Sequence, residues 1–196
     1  MKNKMCQSSV KAKVLLKNAT QDLHLESEKA MSHLVRDDSF SQVIYHAILV
    51  SLYNLNSQVE RDYIKFPTTK RLSIGREKLQ WLRGDIHENG VIWSECNARE
   101  HDIYFDNEAQ ALGAMYVVEG SMFGGHHIAQ MLKKHRWANT CRLRYFRNYE
   151  SSRQQKWSEF TSELERYYKK DISSFTQLHL GAEKTFNHFT FLLKSI

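Results

Sequence analysis

The sequence predicts an all-α protein folded as a single domain of six or seven helices. Three observations lead there. The 196-residue chain has one proline, Pro67. No stretch alternates apolar and polar residues as a half-buried strand does, and apolar residues recur at spacings of three and four over long segments. A chain of this length buries roughly 70% of the surface that its unfolded form exposes, enough for one core. No repeat, linker or low-complexity segment divides it, so residues 1–196 are read as one domain with residues 1–10 as a flexible lead.

Composition narrows the function classes. A net charge of +6 and a pI near 9.2 suit an acidic partner or simply a basic solvated surface. Lysines and arginines are spread along the chain without a nucleic-acid motif, so no nucleic acid is expected. The three cysteines, Cys6, Cys96 and Cys141, lie far apart and outside any C-x-x-C pattern, which suggests free thiols rather than a disulfide framework or a zinc site. The first residues carry no signal-peptide core. The longest apolar run, 43–53, is broken by His46 and Ser51 and is too short to span a bilayer. A cytoplasmic protein with no membrane association is expected.

The elements follow in order. A first helix is predicted over about Lys11 to Ser32, with Leu16, Thr20, Leu23, Ser27 and Ala30 on one face. Lys17, His24 and Glu28 lie beside that face at i, i+7 and i+11. A histidine with a carboxylate one turn on is either a surface hydrogen-bonded pair or an imidazole whose tautomer and orientation are fixed for metal ligation. The second helix, about Phe40 to Ile64, has a wide apolar face for core packing. The third covers Pro67 to His87, with Pro67 at its start. Residues 89–107, including Asn89-Gly90, are the least periodic and read as a loop with room for one short helical turn. Helices at about Ser151 to Lys169 and Phe175 to Leu193 finish the chain, after a segment at 137–149 rich in aromatics and arginine. No H-E-x-x-H or paired E-x-x-H pattern supports a zinc or di-iron site, and no G-x-G-x-x-G or P-loop supports a nucleotide cofactor.

The central segment, 109–134, has the period of one long buried helix, yet four of the eight glycines, Gly113, Gly120, Gly124 and Gly125, fall within it. Each glycine inside a helix costs roughly 1 kcal/mol relative to alanine. Two explanations stand: a flat ligand lying against bare backbone, or close helix–helix contact of the Gly120-x-x-x-Gly124 kind.

These segments resemble heme oxygenases, in particular the short bacterial enzymes that accompany bacteriophytochromes. LLKNATQDLHLESEKA is similar to the proximal helix pattern L-x-x-A-T-x-x-x-H-x-x-x-E, and ALGAMYVVEGSMFGGHHIAQML to the kinked distal helix over the opposite heme face. SLYN at 51–54, Trp81 to Ile86, Arg144-Tyr145-Phe146 through Trp157 and Phe160, and Ala182 to Phe186 match in order, so the resemblance spans nearly the whole chain. It implies heme, both substrate and cofactor, held between a proximal and a kinked distal helix. With dioxygen and electrons from an external reductant, the macrocycle is cleaved at a meso carbon to biliverdin, carbon monoxide and ferrous iron.

The same resemblance implies His24 as iron ligand, Glu28, Lys17 and Phe186 as heme-binding residues, and Gly120, Ser121, Gly124 and Gly125 as the distal wall. Arg144 and Arg153 are further propionate candidates. Ser121 stands where animal-type members carry an aspartate, and Tyr149-Glu150-Ser151-Ser152 where a glycine-containing turn is expected. Implied partners are an acidic ferredoxin or flavodoxin-type donor or reductase, and a bilin acceptor such as a phytochrome. The alternatives are a heme carrier or sensor on the same fold and a non-heme relative of the thiaminase-like type.

Overall fold

The computed structural model describes residues 10–36, 40–93, 102–147 and 149–196. The flexible lead expected at 1–10 therefore lies almost wholly outside the described residues. Among these the protein is helical throughout, with no strand. The helices are α1 (Ala12–Ala19), α2 (Gln21–Leu34), α3 (Gln42–Tyr63), α4 (Pro67–Ser73), α5 (Lys78–Glu88), α6 (Glu108–Gly120), α7 (Met122–Leu132), α8 (Arg153–Lys170) and α9 (Phe175–Lys194).

Three segments expected as single helices are each divided. Between α1 and α2 the Thr20 hydroxyl donates to the Leu16 carbonyl at 2.8 Å, a back-bond that bends a helix without ending its ladder. The His24 amide still reaches the Thr20 carbonyl. The helix expected over 67–87 is interrupted more sharply. Gly75 has φ +69, and the Arg76 amide closes a turn onto the Ser73 carbonyl at 3.0 Å. With Ile74 at φ −61, ψ 125, this is a type II turn, whose third position favours glycine. The third division is at Ser121, between α6 and α7. Of the loop expected over 89–107, the described ends are irregular; residues 94–101 lie outside the described residues.

α6 is the centre of the molecule. Ala109 to Met115, Val117 and Val118 are all buried, the pattern of a helix enclosed on every side. α9 crosses it most closely. A Cβ at Gly113 would collide with the Leu178 carbonyl, and one at Gly181 with the Gln110 carbonyl. Gly113 is therefore a helix-contact glycine. Leu16, Leu55, Val59, Phe160 and Leu164 complete this core. A second cluster, with Tyr45, Ile48, Leu82, Ile128, Leu132 and Phe146, joins α3 and α5 to α7 and the 141–146 loop. That loop is fixed by buried Asp85, whose carboxylate accepts from the Arg144 and Tyr145 amides at 3.0 and 2.9 Å.

Candidate functional site

His24 projects from α2 with its side chain 57% exposed, and its Nδ1 is 3.5 Å from Glu28 Oε2. Its ring edge meets Phe186 of α9 at 5.8 Å between centroids. α2 is held in this orientation by its neighbouring face, where buried Ser27 bonds Thr190 at 2.8 Å. His24 thus presents an imidazole to open space while its helix stays packed. Lys17 lies two turns earlier on α1 and is exposed.

α6 approaches the junction of α1 and α2 where the Tyr116 hydroxyl faces Thr20, and the hinge of α6 and α7 follows at Ser121. His24 is one turn beyond Thr20, and Gly120 one turn beyond Tyr116. At the hinge the Ser121 hydroxyl donates to the Val118 carbonyl at 2.9 Å, and the Gly125 amide to the Ser121 carbonyl at 2.9 Å. Ser/Gly pairs are recurrent causes of such kinks.

The three glycines of the expected distal wall are not equivalent. A Cβ at Gly124 would meet no atom within 4 Å, while one at Gly120 would touch the Trp157 ring at 3.7 Å. Gly125 is buried and faces Phe146, which a Cβ would meet at 3.5 Å. Gly124 opens on space, Gly120 is roofed by an aromatic of α8, and Gly125 looks into the second core cluster. Trp157 also touches Tyr116 and Phe123.

The arginine candidates separate in the same way. Arg144 is taken up by Glu88 at 2.6 Å and lies against Gly84 of α5. Arg153, one turn before Trp157, has its Nε buried without a hydrogen-bond partner among the described residues. It is an orphaned guanidinium donor near the roof of Gly120.

Behind the hinge is a cluster that the sequence reading missed. Glu119, 1% exposed, ends α6. A carboxylate is disfavoured at a helix C-terminus and in a core, so it demands cations. Arg76 Nη1 binds its Oε2 at 2.5 Å, and Lys78 Nζ binds Oε1. Lys78 also donates to the Tyr149 hydroxyl at 2.9 Å, and Arg76 Nη2 to the Lys156 carbonyl at 3.0 Å. Burial pushes the Lys78 ammonium down, with Glu119 opposing. Burial also pushes Glu60, beside this cluster on α3, up to about 7, against the Leu79 amide that it accepts. The one local signal was a glutamate at an apolar position of the 109–134 period. Its cationic partners lie more than forty residues away. Among the described residues no group of three or more His, Cys, Asp or Glu could hold a metal ion.

The site residues thus comprise an exposed imidazole with a carboxylate beside it and a glycine hinge at which Gly124 has an open side, in an all-helical protein. Residues 10–195 match the family described as heme oxygenase, and the chain belongs to that family. Heme binding and heme degradation come with that membership. No curated protein is matched by the chain.

Proposed function

We propose that this chain is an enzyme that cleaves heme to biliverdin, carbon monoxide and ferrous iron, using dioxygen and electrons from an external donor. The observation that carries the reading is the pairing of exposed His24, backed by Glu28, with a hinge whose Gly124 leaves Cβ space empty. Gly113 and Gly181 have no such space, so the opening is particular to this end of α6.

When bound, heme supplies the iron at which dioxygen is reduced and the macrocycle that is cut. The protein's own groups do the rest. His24 would hold the iron, and Glu28, 3.5 Å from its Nδ1, would orient the imidazole for that role. Phe186 buttresses the imidazole edge-on. Gly124 lets a planar group reach the α7 backbone, with Gly120 and Trp157 beside it. Gly125 supports this wall from behind, against Phe146. Ser121 holds the kink and carries a hydroxyl at it. Lys17 and Arg153 are the cations for the propionates; Arg144 is committed to Glu88. An acidic ferredoxin or flavodoxin-type protein is the donor that the basic surface fits, and the bilin goes to a phytochrome-type acceptor, a reading supported by the resemblance of YVVEGSMFGG to the enzymes that accompany bacteriophytochromes. No described helix is long and apolar enough to cross a membrane.

A heme carrier or sensor is the second reading. It is favoured by Ser121, whose hydroxyl donates to the Val118 carbonyl and stands where animal-type members carry an aspartate. Adding hemin, then ascorbate or a ferredoxin system in air, separates the two. The enzyme replaces a stoichiometric Soret band with a biliverdin spectrum; a carrier keeps the Soret band; a non-heme relative never develops it.

A further inference from the structure

The wall beside the hinge is made by two segments far apart in the chain, the end of α6 and the first turns of α8. We propose that one buried residue, Arg76, holds these two in register, and is thereby a positioning residue that selects which meso carbon of the macrocycle is cut. The proposal rests on the heme-degrading reading.

Gly120 and Trp157 face each other across this wall: a Cβ on the glycine would stand 3.7 Å from the indole ring. The residue before each of them is held by the same guanidinium. Arg76 Nη1 donates to Glu119 Oε2 at 2.5 Å, and Nη2 to the Lys156 carbonyl at 3.0 Å. The planar fork of an arginine can hold two acceptors at fixed positions, which a lysine ammonium does not do. Trp157 then carries the register outward. Its ring meets Tyr116 at 5.8 Å and Phe123 at 6.0 Å between centroids. Phe123 is exposed and is the chain neighbour of Gly124, whose Cβ space is empty. Direct contacts therefore run from buried Arg76 to the rim of the opening.

The local chain is built to present this arginine. Gly75, at φ +69, turns the backbone so that Arg76 enters the core, where it is 5% exposed. The same glycine lets α8 come close, since a Cβ there would lie 3.3 Å from Lys156 Nζ. The Arg76 guanidinium also lies over the Tyr149 ring, 5.9 Å from its centroid.

Charge neutralisation alone does not account for Arg76. Glu119 is already paired with buried Lys78, so a second buried cation adds a desolvation cost that the first had removed. Glu159, half exposed at 3.5 Å, offsets part of it. Buried ion pairs are weak sources of stability, and their best-attested use is to fix register. Here the register fixed is that of Gly120 against Trp157. In the heme-degrading reading this wall limits how the macrocycle turns beside Gly124, and that turn decides which meso carbon is attacked.

The test uses the full chain and reads both the apo and the heme-loaded protein. Arg76→Lys keeps the charge beside Glu119 and loses the fork. Gly75→Ala keeps the guanidinium and strains the turn that presents it. Arg71→Gln is the control, a cation that joins α4 to α8 elsewhere, through Glu163 at 2.6 Å. In apo protein carrying 5-fluorotryptophan, the fluorine resonance lost in Trp157→Phe identifies Trp157. That resonance should shift in Arg76→Lys and in Gly75→Ala, while those of Trp93 and Trp137 stay in place. The control should leave it unmoved.

In single turnover with hemin, Arg76→Lys should bind hemin with little change. The ratio of its biliverdin isomers should change at least about threefold, since a misplacement on the order of 1 Å alters rates by up to about 100-fold. Trp157→Phe, with Arg76 intact, should change the ratio as well. If Arg76→Lys does not fold, Gly75→Ala carries both readouts. An unmoved Trp157 resonance, or wild-type isomers from the folded variants, would overturn the role of Arg76 alone. A wild-type protein that binds no hemin would overturn the heme reading and this selectivity together.

Discussion

At the scale of single residues the structure separates glycines that the sequence could only group. Gly113 lies against the Leu178 carbonyl and Gly124 against nothing, although both fall in one helical period. Gly113→Ala should therefore destabilise the apo protein by about 1 to 3 kcal/mol or more, since an overpacked helix contact has to move apart. Gly124→Ala should leave the melting temperature equal or raise it, by up to roughly 1 kcal/mol of stability, as a poor helix former is replaced. Biliverdin production should slow in the Gly124 variant, where the methyl crowds the cleft. Thermal melts of the two apo variants, with turnover of the second, decide this.

Glu60 gives a pH dependence of definite sign. Its folded pKa is raised from 4.5 to about 7, so the native state holds a proton that the unfolded chain has released. Its contribution is intact below pH 4.5 and is lost as pH rises to 7, a loss on the order of 3 kcal/mol at most. Half-buried His46, held below its ordinary value by desolvation, acts in the opposite direction below pH 6.5. Comparison with Glu60→Gln cancels that histidine. Urea unfolding at pH 5 and pH 8 should show the variant gaining on the wild type as pH rises; parallel curves would contradict the assignment.

At the scale of elements, the helices, including those that carry the proposed site, were legible because they depend on local pattern. His24 and Glu28 announce themselves by their i, i+4 spacing, and the kink by glycines beside Ser121. The interruption at Gly75 was not legible, since Leu72, Ile74, Leu79 and Leu82 keep an apparent helical period across it. Nor was the Glu119 cluster, whose charges meet only after α4, α5 and α6 have packed.

Helix starts show the same limit. α1, α4 and α5 carry no capping side chain of their own. Carboxylates from other helices serve instead: Glu165 accepts from Ala12 at 2.7 Å, Glu108 from Thr68 at 2.5 Å, and Glu60 from Leu79 at 2.9 Å. Glu165 and Glu108 also place a negative charge at the positive end of a helix. Glu165→Ala should accordingly cost about 1 kcal/mol, the usual loss for a removed cap, and fray the turn that leads to Lys17. Amide hydrogen exchange at 12–15 should accelerate well before the rest of α1; unchanged protection would show that α8 packing alone holds that end.

For the molecule as a whole, the net charge of +6 and the heme site proposed at His24 and Gly124 belong to one account, in which electrons arrive from an acidic protein. Turnover driven by a ferredoxin or flavodoxin should fall steeply with ionic strength, because the screening length is only about 8 Å at physiological salt. Turnover driven by ascorbate should hardly respond. Equal salt dependence with both would remove the docking argument and leave the chemistry untouched.

The central claim is that heme sits between these helices on His24 and is degraded there. Its most direct measurement is single turnover of hemin by the wild type and by His24→Ala, with ascorbate in air, after far-ultraviolet dichroism has established that both are folded. The side chain is 57% exposed, so its loss removes little packing and the variant should fold. The account predicts that the wild type converts one equivalent of hemin to biliverdin and that the variant forms none. Undiminished biliverdin from His24→Ala would contradict it.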